Sequence, residues 1–382
     1  MKIMSVAGLL SVLLFWLVLP DPIHALAATP TALGVAYRGH VQDYGDLPAD
    51  NGVITDGGLL GTTGEGKRIE GLTVQLTGAI AATADYNIRY NVHIQNEGWQ
   101  AATDEPLSWK KDGDFAGSQG KSQRLEAIQL QLTDANGAPV TDYAVEYRVH
   151  IQDYGWSQGW KKDGAIAGTA GESKRLEAIE IRIVPKFTGS LDPAVFKTSS
   201  HRLGQTQFKP ENVTVNNGQL MITIPAETMA SGEVSTTALQ GYGSYEISMK
   251  LPNAPSSITG FFLYAPPDYA QEIDIEIYNQ PDGKIMFTSY ANGALTQSLT
   301  KNLSFDPTAD FHHYRIDYQP DTIDFYVDDI LLTRFSEGIP HNPMYLMVNA
   351  WFPDWLAKRP APQTQLLLID WITIKSSRDN LF

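Results

Sequence analysis

Residues Gln271-Glu-Ile-Asp-Ile-Glu-Ile-Tyr278 alternate acids with isoleucines. On a β-strand successive side chains point to opposite faces, so Ile273, Ile275 and Ile277 would enter a core while Glu272, Asp274 and Glu276 line up on the other face. Three neighbouring carboxylates repel one another, and that repulsion raises the proton affinity of at least one of them. One ionised and one protonated carboxyl is the pairing that cleaves an acetal: the first attacks, the second protonates the leaving oxygen. Glu272 and Glu276 are about 13 Å apart at Cα on an extended strand. Side chains leaning inward could bring their carboxyls to the roughly 5–5.5 Å of a retaining glycosidase. Asp274 between them could share a proton and tune both. The same three acids also read as a solvated acidic face or half a metal site.

Such a row needs a sheet to hold it, and the surrounding sequence supplies strands. From Phe187 onward apolar residues recur with a period of two: Tyr245, Ile247, Met249 and Leu251 alternate with Glu246, Ser248 and Lys250. Tyr314/Ile316/Tyr318 and Ile323/Phe325/Val327 do the same across the turn Gln319-Pro-Asp-Thr322. No window carries a convincing amphipathic helix. This pattern predicts an all-β chain whose residues 187–382 form a two-sheet antiparallel sandwich of the jelly-roll kind.

The preceding part of the chain repeats itself. Tyr37-Arg-Gly-His-Val-Gln-Asp-Tyr-Gly45 is echoed by Tyr90-Asn-Val-His-Ile-Gln-Asn-Glu-Gly-Trp99 and Tyr147-Arg-Val-His-Ile-Gln-Asp-Tyr-Gly-Trp156. Arg68-Ile-Glu70, Arg124-Leu-Glu126 and Arg175-Leu-Glu177 follow in register, each after a glycine-rich loop. A period of roughly 50 residues marks units that bury their apolar faces only against one another. Residues 34–186 are therefore expected to hold three all-β repeats (34–78, 86–133 and 143–184), most simply closed into a pseudo-threefold barrel or prism. Trp99, Trp109, Trp156 and Trp160 either stack on sugars or seal the small units, and packing is the favoured reading. His40, His93 and His150 have aliphatic neighbours, which favours structural roles. Gly61-Thr-Thr-Gly-Glu-Gly-Lys67 has the spacing of a phosphate loop, but Arg68 stands where a Ser or Thr would hold magnesium.

Composition narrows the partners. The chain of 382 residues carries 43 acidic against 28 basic side chains, a net charge of −15, and no cysteine. Such a surface repels phosphate backbones, so a nucleic-acid partner is not expected. Disulfides, thiol catalysis and thiolate zinc sites are excluded outright. Lys2, the apolar run Val6–Leu19 and Ala25-Leu-Ala27 have the build of a secretory signal peptide over residues 1–27, and that run is too short to span a bilayer. Secretion, to the exterior or the cell surface and without a membrane span, is the expectation.

Two resemblances sharpen these readings. Residues 34–184 are similar to the ChW repeat, named for its Gly-Trp signature and known from secreted proteins, which implies binding of a cell-wall or surface polymer or protein. Trp99 and Trp156 are then the ligand candidates, and the first copy, with Asp46 in that place, departs from the pattern. Glu272-Ile-Asp-Ile-Glu276 is the signature of glycoside hydrolase family 16. Gly241-Tyr-Gly-Ser-Tyr-Glu246, Phe311-His-His-Tyr314, Met347-Val-Asn-Ala-Trp351 and Ile369-Asp-Trp-Ile372 occur in that family's order along residues 190–376.

The unbulged pentad looks most like that of bacterial lichenases, which cleave mixed-linkage β-1,3-1,4-glucan with retention. The resemblance implies Glu272 as nucleophile, Asp274 as its assistant and Glu276 as general acid/base. It implies substrate contacts from Glu233, Tyr290, Asn349, Trp351 and Trp355, and no cofactor for the chemistry. A structural calcium ion at Asp370 and the Gly218 carbonyl is a further implication, although one carboxylate falls short of the about six to eight oxygens such an ion takes.

Three departures bear on specificity. Ala270 stands where lichenases carry a tryptophan, Ser235 where they carry an arginine, and Thr288 where an asparagine is usual. Hydrolysis of β-glucan is the leading expectation. Transglycosylation, action on an exopolysaccharide, or a surface adhesin of the same fold that binds glycan without turnover are the alternatives.

Overall fold

The computed structural model describes residues 33–81 and 83–376; the expected leader lies outside them. The alternation in the sequence becomes strand wherever it occurs, and among the described residues only two short 3-10 turns, Pro106–Ser108 and Pro210–Asn212, are helical. No helix among the described residues is long and apolar enough to cross a membrane.

The C-terminal part is a sandwich of two seven-stranded antiparallel sheets. One runs in the order Phe196–Thr198, Glu233–Thr236, Tyr345–Trp351, Ile258–Ala265, Gln271–Tyr278, Lys284–Ala291 and Ala294–Asn302. The other runs Val213–Asn216, Gln219–Ile224, Gln365–Ser376, Gly243–Lys250, His312–Tyr318, Ile323–Val327 and Ile330–Phe335. The alternate residues singled out in the sequence meet between them: Ile273, Ile275 and Ile277 pack with Tyr245, Ile247, Met249, Tyr314 and Phe325, all fully buried. Each such side chain contributes on the order of 1.5–3 kcal/mol of burial. That is what fixes the register and turns the acids of Gln271–Tyr278 to the opposite face.

The N-terminal part is the expected threefold arrangement. Each repeat is a long hairpin, Gly34–Val41 with Ile69–Thr77, Asn87–Ile94 with Leu125–Thr133, and Tyr143–Ile151 with Leu176–Pro185. The three sheets share one core, in which Tyr37, Tyr90 and Tyr147 are equivalent and buried.

Closure comes from exchange of short strands around the ring. Leu60–Gly61 of the first repeat pairs with the third, Ala116–Gly117 of the second with the first, and Ala167–Gly168 of the third with the second. At these crossings a Cβ on Gly61, Gly117 or Gly168 would stand 2.2–2.4 Å from the carbonyl oxygen of Glu177, Glu70 or Glu126. All three glycines also have φ between 101° and 127°. Only glycine fits there.

Inside each repeat the recurring Arg-x-Glu motif is an ion pair, at 2.7 Å in all three copies. His93 and His150 place Nδ1 3.1 and 3.0 Å from Glu126 and Glu177. In the first copy His40 turns to Asp46 at 2.8 Å. The four tryptophans differ in burial. Trp109 is 5% exposed and is core. Trp99 and Trp156 are partly buried, each edge-on to its own histidine at 5.5 and 5.4 Å. Trp160 lies against the sandwich and donates to Asp329 at 3.1 Å.

Candidate active site

Register assembles the site. Glu276 lies opposite Gly260 on one side and Met286 on the other, and its row continues through Asn349 to Glu233. Asp274 stands between Phe262 and Thr288, and Glu272 between Tyr264 and Tyr290. These residues share one face of one sheet. The absence of a side chain at Gly260 keeps the Glu276 row open, since a Cβ there would come to 3.1 Å from Asn349 Oδ1 and from the Phe262 ring.

The face is the floor of a cleft of about 360 Å³. Glu272, Asp274, Glu276, Glu233, Tyr290, Asn349, Trp351 and Trp355 all line it. So do Thr288, noted above as a departure, and His201, Leu203, Phe262, Tyr264, Asp268, Tyr269 and Met347, which the sequence reading did not single out. Alternation could have found Phe262, Tyr264 and Met347, because strand pairing puts them beside residues already chosen. Nothing local marks His201 or Leu203, which reach the cleft through the small sheet Arg202–Leu203, Thr206–Phe208 and Ala230–Ser231.

Hydrogen bonds hold the acids in place. Glu233 accepts from Asn349 Nδ2 at 2.9 Å and pairs its other oxygen with His201 Nε2 at 2.9 Å. Trp351 donates its indole N–H to Glu276 at 3.2 Å. The Thr288 hydroxyl donates to Asp274, and Tyr264 donates to Asp268 at 2.7 Å. The Asn349 Oδ1 acceptor is buried and has no partner in the protein. In so polar a setting a ligand hydroxyl is the donor it suits.

Electrostatics follow from burial. Desolvation lifts Glu272 to about 7, with the charges of Glu276 and Asp268 adding to the rise and a hydrogen bond with Asp274 opposing it. Glu276 is lifted to about 6 by burial, against the stabilising N–H of Trp351. Asp274 is raised well above the carboxylate range, first by burial and then by its two glutamate neighbours. A protonated Asp274 donating to Glu272 accounts for both directions.

The two oxygens expected to bind calcium do other work. Asp370 forms an ion pair with Lys162 of the third repeat, and the Gly218 carbonyl accepts the Phe187 N–H at 3.2 Å. Among the described residues no three His, Cys, Asp or Glu side chains cluster to hold a metal. The donor set here does not fit a calcium ion, because an ammonium from the repeats already neutralises its one carboxylate.

The model for glycosyl hydrolases family 16 matches residues 202–373, and that for the clostridial hydrophobic W repeat matches residues 40–78, 93–134 and 150–185. A beta-glucanase of Acetivibrio thermocellus is 36% identical over 163 residues, covering 40% of this chain and 49% of that protein. The chain thus spans about half the length of that relative. A beta-glucanase of Paenibacillus polymyxa is 31% identical over 190 residues, covering 47% of this chain and 80% of that protein. The solved Bacillus licheniformis beta-glucanase is 24% identical with a TM-score of 0.47, over 50% of this chain and 97% of that one. The carboxylate row, the family match that encloses it and four-fifths coverage of the P. polymyxa protein together place this chain in glycosyl hydrolases family 16, behind three ChW repeats.

Proposed function

We propose that the protein is a secreted, endo-acting β-glucan hydrolase that cleaves with retention, using Glu272 as nucleophile and Glu276 as general acid and base. The observation that carries this reading is the convergence of three proton-hungry carboxylates in a groove whose other polar groups suit sugar hydroxyls. In the first step the Glu272 carboxylate attacks the anomeric carbon while Glu276 gives its proton to the departing glycosidic oxygen, forming a glycosyl ester on Glu272. In the second, Glu276 takes a proton from water, the resulting hydroxide attacks the anomeric carbon, and Glu272 leaves as carboxylate. Asp274 holds Glu272 in place and shares its proton. Glu233, Asn349 and His201 present donors and acceptors to hydroxyls, and Trp351 and Trp355 offer aromatic faces.

The relatives named beta-glucanase support a β-glucan as substrate, and mixed-linkage or β-1,3 chains are the candidates. The partly exposed Trp99 and Trp156 support the repeats as the part that grips a wall or surface polymer. The signal-like first 27 residues support export. Reducing-sugar release from barley β-glucan, lichenan, laminarin and agarose tests the reading, with Glu272→Gln as control. Activity on a β-glucan that falls by several orders of magnitude in the variant is expected, and activity that survives the substitution overturns the nucleophile. A glycan-binding protein without turnover is the second reading, favoured by Ala270 and Ser235. Tight retention on glycan gels with no product from any of the four polymers would establish it.

A further inference from the structure

The loop that leads into the carboxylate strand, Pro266-Pro-Asp-Tyr-Ala270, holds an aromatic ring in a costly way. Tyr269 has φ of 66°, in the left-handed region that bulky residues avoid. Yet its ring is not buried, since 54% of the residue is exposed. The backbone is pinned on both sides. The Gly293 N–H donates to the Tyr269 carbonyl at 3.0 Å, the Asn292 N–H to the Ala270 carbonyl at 2.8 Å, and the Ala270 N–H to the Pro267 carbonyl at 3.0 Å. Asp268, next to it, accepts from Tyr264.

The ring so fixed lies 5.1 Å from that of Tyr290, with planes inclined by 43°, and Tyr290 is the cross-strand partner of Glu272. At the Glu276 end Trp351 and Trp355 form a second pair at 5.3 Å. One aromatic pair therefore adjoins each glutamate. Tyr269 is the third residue of the turn that the Ala270 N–H closes on the Pro267 carbonyl, and that turn presents its exposed ring at the cleft, where a ligand can meet it.

We propose that Tyr269, backed by Tyr290, is the sugar-stacking platform on the Glu272 side of the cleft. It does from the loop what Ala270, with only a methyl group, cannot do. The apolar C–H face of a β-linked glucose ring is the surface it would meet. This rests on the glycan-hydrolase reading above and names a specificity determinant within it.

The test is a series at one position. Tyr269→Ala and Tyr269→Gly should raise KM for barley β-glucan about tenfold, the loss of one aromatic contact, with kcat changed less than about twofold. Tyr269→Phe, which keeps the ring, should restore the lower KM. Tyr269→Gly should also raise Tm, because glycine adopts this φ without strain. Weaker binding with higher stability is a combination that a merely structural tyrosine would not give. Unchanged KM in the Ala and Gly variants, or a Tm that falls along with binding, overturns the proposal. Each substitution is also made on Glu272→Gln and scored by retention in glycan-containing gels. If the wild type cleaves nothing, the hydrolase reading fails while that retention still decides the role of Tyr269.

Discussion

Burial sets the protonation of the three acids before any sugar arrives. Glu272 at about 7 and Glu276 at about 6 put the productive state, Glu272 ionised with Glu276 protonated, in the minority between those values. kcat/KM on β-glucan should therefore be bell-shaped with limbs near 6 and 7. With an activated aryl β-glucoside, whose leaving group needs no acid, Glu276→Ala should lose the alkaline limb and keep the acid one. An alkaline limb that persists in that variant would rule out Glu276 as the proton donor. Stability follows a different course from rate. Glu272 binds its proton more tightly when folded, at about 7 against an ordinary 4.5, so stability falls as pH rises through that window and the loss is complete above 7. Glu272→Gln should raise stability at pH 8 by roughly 1–3 kcal/mol and by less at pH 5, read as the difference in urea midpoints. The acids themselves were legible because a period of two assigns faces without any tertiary knowledge. His201 and Asp268 were not, because what makes them part of the site is the folding of loops onto Glu233 and Glu272.

At the scale of strands and seams, glycine marks where one backbone passes close to another group. Gly260 clears the path from Glu276 to Asn349. Gly260→Ala should push Asn349 from Glu233 and lower kcat/KM at least tenfold with little change in Tm, measured against lichenan and by thermal melting. Wild-type kinetics in that variant would mean that Asn349 does not need its present position. The sandwich strands could be drawn from alternation, and the three hairpins from the echo of Tyr-x-x-His. The exchange of Leu60–Gly61, Ala116–Gly117 and Ala167–Gly168 between repeats could not. Two-residue strands have no periodicity, and the partner of each is set by closure of the ring. Trp99 and Trp156 each pack an edge against a histidine and keep part of the indole open, an intermediate state that composition cannot reveal.

Over the whole molecule, the third repeat is bolted to the sheet that faces away from the cleft. Arg182, from the repeats, bonds Glu146 of its own repeat at 2.9 Å, Glu246 of the sandwich at 2.8 Å and a ring nitrogen of His313 at 2.7 Å. The Trp371 indole donates to Glu146 at 2.9 Å, Trp160 lies 4.0 Å below the guanidinium, and Arg148 reaches Asp329 at 3.0 Å. Burial raises Glu146 and lowers His313, so the imidazole stays neutral and accepts the Arg182 hydrogen bond. Lys162 on Asp370 adds a further tie across the same boundary. Removing one member of a buried charge cluster strands the others, at about 3–5 kcal/mol. Arg182→Ala leaves Glu146 buried beside Trp371 without its cation. Scanning calorimetry should then show the single transition expected of the wild type split in two, with repeats and sandwich melting apart. Lys162→Ala, which breaks a pair that solvent still partly reaches, should cost no more than about 1 kcal/mol and leave one transition. An Arg182→Ala protein that still melts as one unit near the wild-type temperature would mean that the apolar contact of Ala144 and Val184 with Trp371 suffices to join the two halves. Either result bears on function, because a repeat fixed to the sandwich holds the cleft at a constant distance from whatever polymer the repeats grip, whereas a loosely tethered one lets it search.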